Sequence, residues 1–197
     1  IYHGAHEQLT IEDVELDEPQ GYELVVRTAA SGVCHSDLHF VDGFYFMPGP
    51  AILGHEAAGV VEAVGPLVTE VVPGDHVIAC LSIYCGKCNR CLVGETHLCA
   101  NKPVRDPDVN PGVLWQGKGV RQFAGLGSYA EKMLLHENVV VKIDKDMPFQ
   151  QAALIGCGVT TGVGAVLKTA KVQAGSTVVV FGAGGVGLSA IQGARIA

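Results

Sequence analysis

Positive charge is scarce in this sequence: 13 lysines and arginines stand against 20 aspartates and glutamates, a formal charge of −7 over 197 residues. Without a basic stripe to neutralise phosphates, nucleic acid and anionic membrane surfaces are poor partners, and a small-molecule substrate is the natural expectation. Aromatic residues are also sparse at 6%, with one tryptophan, Trp115. No run reaches the ~20 uninterrupted apolar residues of a membrane span, and the start "IYHGAHEQLT" has no charged region leading into an apolar one. A reduced, cytoplasmic setting is expected to follow. The sequence begins at Ile1 without an initiator methionine and stops at "LSAIQGARIA", inside a helical pattern, so the chain reads as truncated.

What the chain does have is glycine, 26 residues of it, within a composition that is 48% hydrophobic. From residue 22 to about 142, short apolar or alternating runs ("YELVVRTAA", "GVVEAVG", "DHVIAC", "SYAEKMLL", "NVVVKI") are punctuated by glycine and proline, the texture of antiparallel β-structure in hairpins or a partly open barrel. "VVPGDHV" places Pro73-Gly74 in a turn before a strand. Residues 100–127 are rich in Gly, Pro, Asn and Asp and read as irregular loops. At "DMPFQQAALIGCGVTTGVGAVLK" the texture changes to one or two helices after a proline.

Seven cysteines, four of them in "CGKCNRCLVGETHLC" at 85–99, admit three chemistries. A disulfide framework belongs mainly to short secreted chains that lack a core, and an odd number leaves one thiol unpaired. The bacterial iron–sulfur run shares C-x₂-C-x₂-C but closes with x₃-C, whereas seven residues separate Cys91 from Cys99. Structural zinc suits the spacing: thiolates at Cys85, Cys88, Cys91 and Cys99 would close a tetrahedron, with Lys87 and Arg90 offsetting their charge.

In "GSTVVVFGAGGVGLSAIQGARIA", Val178 to Phe181 read as a strand buried on both faces of a parallel sheet. Gly182, Gly184 and Gly187 supply G-x-G-x-x-G at its end, with Gly185 and Val186 inside the motif. Such glycines allow a tight turn, approach of backbone to a pyrophosphate, and close packing of helix on strand. A merely structural turn is the alternative, and the acidic residue that grips a ribose about 20 positions further on would lie past Ala197.

Of the remaining cysteines, Cys34 in "GVCHSDLHF" and Cys157 in "LIGCGVTTG", together with His55-Glu56 in "ILGHEAAGVVE", offer a soft N/S set suited to a catalytic zinc with an open position. On chemistry alone this is weak, because buried cysteine commonly packs as a small hydrophobe and a lone histidine more often satisfies a core hydrogen bond. Cys80 reads as a packed thiol in the strand "HVIAC". For Ser36 and His39 the alternative to any part in the chemistry is that they simply cap a turn or helix beginning "HSDLH", with Ser or Asp as N-cap.

Taken in order, "GVCHSDLH", "GHEAAGVVEAVG", "PGDHV", "CGKCNRCLVGETHLC", "GCGVTTG" and "GAGGVG" resemble the zinc-dependent medium-chain alcohol dehydrogenases through essentially the whole chain. The resemblance implies a two-domain oxidoreductase: an α+β, GroES-like β-rich catalytic domain over 1–157 with a structural zinc lobe at 85–99, then over 158–197 the first βα unit of a Rossmann α/β domain. It implies two zinc ions per chain, one held by Cys34, His55 and Cys157 with Glu56 as an intermittent fourth ligand, the other by the four cysteines of the lobe. Asp37 would orient the histidine ligand, and Ser36 and His39 would relay the proton through the cofactor ribose. His35, Thr161 and the glycine motif Gly182, Gly184, Gly185, Val186 and Gly187 would contact NAD, or NADP. Tyr45 and Leu81 fall at substrate-pocket positions, although core packing explains both nearly as well.

The activity implied is reversible hydride transfer from a primary aliphatic or aromatic alcohol to the nicotinamide, giving the aldehyde, in a parent enzyme that is a homo-dimer or tetramer; residues 1–197 alone are expected to be inactive. The alternatives are a dehydrogenase of the same family acting on a thiol adduct of formaldehyde, against which His39 leans, and a zinc-stabilised relative without catalysis.

Overall fold

In the computed structural model, which describes residues 1–197, the chain runs through β1 (Glu15–Leu16), β2 (Glu23–Gly32), α1 (His35–Val41), β3 (Ala51–Ile52), β4 (Glu56–Val64), β5 (His76–Ala79) and α2 (Asn89–Leu92). Then come β6 (Val113–Trp115), β7 (Lys118–Gly119), β8 (Arg121–Gln122), β9 (Lys132–His136) and β10 (Val140–Ile143). A long helix, Phe149–Ala170, and a terminal helix, Gly185–Ile196, complete the chain. The architecture is the expected GroES-like, β-rich one with a short helical segment.

The alternating runs become a five-stranded antiparallel sheet in the order β10-β5-β4-β2-β9. Its two longest strands pair Val26 with Val61 and Gly32 with Glu56, with bulges between Val25 and Val26 and between Thr28 and Ala30 that bend β2 toward α1. One face buries Leu24, Val26, Ala57, Val61, Val77, Leu126, Met133 and Leu135; each large side chain removed from water contributes roughly 1.5–3 kcal/mol. The turn at Pro73-Gly74 precedes β5 as expected, with Asp75 accepting from the Val72 amide at 3.0 Å.

Small residues on β4 decide what covers the other face. Ala58 and Ile78 receive Ala152 and Ala153 from the long helix, which starts after Pro148. A Cβ added at Gly156 would stand 2.1 Å from the Ala79 carbonyl, so only glycine lets the helix lie this close to β5. By length and a mean hydropathy of 1.4 this helix is long enough to cross a bilayer, but its alanines are spent on the sheet. It contains two π-helical stretches, Ile155–Val159 and Ala165–Ala170. The expected division after Cys157 falls inside it.

The loop-rich segment 100–127 is partly ordered: β6 and β7 join β1 in a three-stranded sheet, and β8 pairs with β3. Arg105 ties the segment to the main sheet by a bidentate pair to Glu23, Nε at 2.7 Å and Nη2 at 2.6 Å, and by a further bond to Asp17. Cys80 lies one residue past β5, half-buried, its amide donating to the Val139 carbonyl.

Two local expectations are corrected. Val178–Phe181 form no strand, and Val179 and Phe181 are 72% and 96% exposed. A strand draws its hydrogen bonds from neighbouring strands, and no strand of these 197 residues pairs with this segment. The cap of α1 is also different: Cys34 holds the N-cap position with no side-chain cap bond, placing Ser36 and Asp37 inside the first turn.

Candidate metal centres

The contiguous cluster forms a closed site. Cys85, Cys88, Cys91 and Cys99 bring their sulfurs together around α2, with separations of 4.0 Å (Cys85–Cys91), 3.5 Å (Cys88–Cys91) and 3.9 Å (Cys88–Cys99). A zinc tetrahedron with ~2.3 Å bonds has edges of about 3.8 Å, so these thiols fit that ion as they stand. Backbone amides of Cys91 and Ala100 pull the Cys88 thiol down to about 6. Burial and the neighbouring sulfurs push Cys91 up to about 11. Four thiols this close do not all ionise without a cation between them, which is what a dication would supply.

The second cluster is assembled from three distant pieces of chain. Cys34 ends the β2–α1 connection, His55 precedes β4, Glu56 opens it, and Cys157 sits in the first π-helical stretch, a distortion frequent at functional sites. Their ligand atoms all lie within 4.8 Å of one another, with His55 and Glu56 buried and both cysteines half-buried. Gly32 makes room for the carboxylate, because a Cβ there would meet Glu56 Oε2 at 2.1 Å.

Burial works to raise the Cys34 thiol, but hydrogen bonds from Ser36 and the adjacent His55 outweigh it and bring it below the ordinary value. Cys157 goes the other way, pushed up to about 12 by burial and by Cys34 and Glu56. The two sulfurs and the ring nitrogen are a borderline-soft donor set that fits zinc, and with Glu56 withdrawn three such ligands would leave the fourth position open.

His55 is held from behind. Its Nδ1 donates to Asp37 at 3.2–3.3 Å, which leaves Nε2 for the cluster. Burial opposes protonation of the ring, and the hydrogen bond and charge of Asp37 overcome it, raising the His55 pKa. Asp37, 2% exposed, also accepts from the Gly54 amide at 2.9 Å and from the Tyr129 hydroxyl at 3.2 Å. Tyr129 is the group that sequence reasoning missed. It lies in a bend just before β9, 92 residues from Asp37, and no spacing signal connects the two.

Ser36 and His39 share a face of α1 three residues apart. The His39 ring is flanked edge-on by His35 at 5.5 Å, Phe44 at 5.6 Å and Tyr45 at 5.2 Å. Tyr45 is 55% exposed beside this histidine, whereas Leu81 packs against the sheet core. Thr161 is exposed one helical turn past Cys157. Its neighbour Gly162 lies against the start of the terminal helix, where a Cβ would come 2.4 Å from the Val186 carbonyl, so Thr161 and the glycine turn are brought together.

In that turn Gly182 has φ +95°, Gly184 is the N-cap of the terminal helix, and a Cβ at Gly187 would stand 2.1 Å from the Gly182 carbonyl. Gly184 and Gly185 have open space around them. This is a cradle that backbone amides and a 12-residue helix offer to a phosphate, and it fits a dinucleotide pyrophosphate.

Comparison with known proteins shows the family to which this fold belongs. Residues 20–145 match the alcohol dehydrogenase GroES-like domain family. An alcohol dehydrogenase zinc-binding domain protein from Burkholderia ambifaria is 38% identical over 98% of this chain and 54% of its own, with a TM-score of 0.89. Benzyl alcohol dehydrogenase from Acinetobacter calcoaceticus is 40% identical over 93% and 51%, TM-score 0.83. Acetophenone reductase from Geotrichum candidum, solved with NAD, is 31% identical over 98% and 52%, TM-score 0.78. The chain spans about half the length of each of these structures.

Proposed function

This chain belongs to the zinc-dependent medium-chain alcohol dehydrogenase family of oxidoreductases, and from that premise we propose that its mixed cluster is the centre of hydride transfer from a primary alcohol to NAD, with the aldehyde as product. The observation that supports this reading most is the meeting of Cys34, His55, Glu56 and Cys157 ligand atoms within 4.8 Å of one another. Cys34, His55 and Cys157 would hold a zinc ion, which when bound supplies Lewis acidity toward an alcohol hydroxyl near neutral pH. Similarity to a benzyl alcohol dehydrogenase supports an aromatic or aliphatic primary alcohol as substrate.

The chain's own residues handle position and proton. Asp37 fixes the His55 ring and keeps Nδ1 protonated, so Nε2 is the free nitrogen. Ser36, in the first turn of α1 two residues from Cys34, would accept the alcohol proton as its own hydroxyl proton passes onward. His39, on the same face of α1, would be the last member of the relay, receiving the proton and releasing it to solvent, with the ribose of a bound cofactor linking it to Ser36; imidazole titrates in the range this requires. Glu56 lies within reach of the same space and would serve as an intermittent fourth ligand. His35, Thr161 and the turn Gly182–Gly187 receive the dinucleotide. The four-cysteine lobe takes no part in the chemistry and holds its own loop in shape. A reducing cytoplasmic compartment and a homo-oligomeric parent complete the reading.

Metal analysis tests it directly: purified chain should carry about two zinc ions, and one ion confined to the four-cysteine lobe would overturn the reading in favour of a non-catalytic scaffold. The glycine turn stands open to solvent here, so residues 1–197 alone should not reduce NAD when given alcohol.

A further inference from the structure

Asp37 is a buried carboxylate with three donors, and only two of them belong to its immediate neighbourhood. The Gly54 amide donates to Oδ1 at 2.9 Å, His55 Nδ1 straddles the carboxylate at 3.3 Å from Oδ1 and 3.2 Å from Oδ2, and the two come from adjacent residues. The third, Tyr129 Oη on Oδ2 at 3.2 Å, arrives from the approach to β9. An ionised carboxylate is acceptor-only, so the hydroxyl must donate. Burial and the charges of Asp37, Cys34 and Glu56 keep it protonated at neutral pH.

The tyrosine is itself fixed. Its amide donates to the Leu53 carbonyl at 3.0 Å, and the Ser128 amide to the Gly54 carbonyl at 3.0 Å, lacing its segment to the residues just before His55. Gly54, at φ +90°, has no room for a side chain: a Cβ would stand 2.5 Å from Tyr129 Cδ1 and 2.4 Å from Ser128 Oγ. The ring therefore packs directly over the backbone that carries the histidine.

We infer that Tyr129 is a positioning residue of the mixed metal centre, its hydroxyl fixing the plane of the Asp37 carboxylate and through it the direction of His55 Nε2. The inference rests on the reading of Cys34, His55 and Cys157 as metal ligands. The Gly54 amide pins Oδ1 and the ring nitrogen sits between the two oxygens; the Tyr129 hydroxyl is the donor that holds Oδ2 against the Gly54 amide on Oδ1, so without it the carboxylate can rotate about its Cβ–Cγ bond and carry the ring with it. Groups that orient a metal ligand are worth 10–100-fold in metal affinity, and Tyr129 acts one link further out, so removal of its hydroxyl should weaken the site by about 3–10-fold.

The test is competitive zinc titration of the metal-free 1–197 chain against a chromogenic chelator, with cobalt(II) absorption as a second readout. Tyr129→Phe keeps the ring and removes only the hydroxyl. The expected result is a 3–10-fold loss confined to the mixed site, a shift of that site's cobalt ligand-field bands, and an unchanged four-thiolate site as internal control for folding. In an Asp37→Asn background the same substitution should add nothing, since the group it acts through has gone. Equal zinc affinity in wild type and Tyr129→Phe, equal weakening of both sites, or full additivity with Asp37→Asn would each overturn the inference. A wild-type chain holding a single metal would overturn the metal-centre reading instead.

Discussion

Gly156→Ala puts the placement of Cys157 to a quantitative test. The residue lies in a helical segment, where alanine is ordinarily favoured over glycine by about 0.5–1 kcal/mol. Its added Cβ would stand 2.1 Å from the Ala79 carbonyl oxygen, a backbone atom in β5 that cannot rotate away. An ordinary carbon–oxygen contact is about 3.3–3.6 Å, so helix and strand must part by roughly an ångström. Overpacking of this kind costs about 1–3 kcal/mol, which exceeds the helical gain. The net loss should lower the melting temperature by about 2–8 °C for a chain of this size. The next residue is Cys157, and an ångström exceeds the roughly 0.5 Å tolerance of a working metal site, so zinc content should fall toward one ion per chain. Gly164→Ala is the control: the same helix, nothing within 4 Å of the new Cβ, and an expected gain of about 0.5–1 kcal/mol. Thermal melts and metal analysis on both variants decide the matter. A Gly156→Ala protein as stable as Gly164→Ala, with both zincs retained, would refute the argument that close approach of the helix to β5 builds the site.

Cys99→Ala removes the buried member of the four-thiol cluster and should cost one zinc together with the order of the lobe, since structural zinc contributes ~10 kcal/mol or more to folding; proteolysis at 85–99 and zinc content check this. In the complete enzyme, Ser36→Ala should lower kcat by about 10²–10⁴-fold with little change in melting temperature, because Ser36 caps nothing here; His39→Gln should be milder and flatten the pH–rate profile between about pH 5 and 8. Near-wild-type kcat for Ser36→Ala would end the relay. The Lys142 ammonium and the Val72 amide hold the Asp75 carboxyl below its ordinary value, so its folded pKa lies under its unfolded one. The stability it contributes is present above about pH 4 and lost as pH falls through the folded value. Asp75→Asn should therefore melt earlier than wild type at pH 7, and the gap should close as acid protonates the folded carboxyl; a gap that persists in acid would assign the effect to packing.

Residues close in the chain were legible because their geometry is local. The cysteines of 85–99 reach one another through a short loop and a single turn, so their spacing alone specified a closed zinc site, and Pro73-Gly74 and the glycine turn before Gly185–Ile196 were readable for the same reason. The alternating runs likewise marked β2, β4, β5, β9 and β10, since a half-buried strand must repeat every second residue.

Cys34, His55 and Cys157 had only family resemblance to join them, because their meeting depends on how β2 pairs with β4 and how nearly the long helix approaches β5. The strand expected at Val178–Phe181 failed on the same ground: apolar residues supply the propensity, but the hydrogen bonds must come from a neighbouring strand. Tyr129 is the extreme case, an unremarkable tyrosine in a bend before β9 that becomes part of the site because the fold lays its segment across Leu53 and Gly54. Local sequence thus determined the elements and the closed lobe, while the open, mixed centre was decided by long-range packing, for which a pattern along one chain carries no signal.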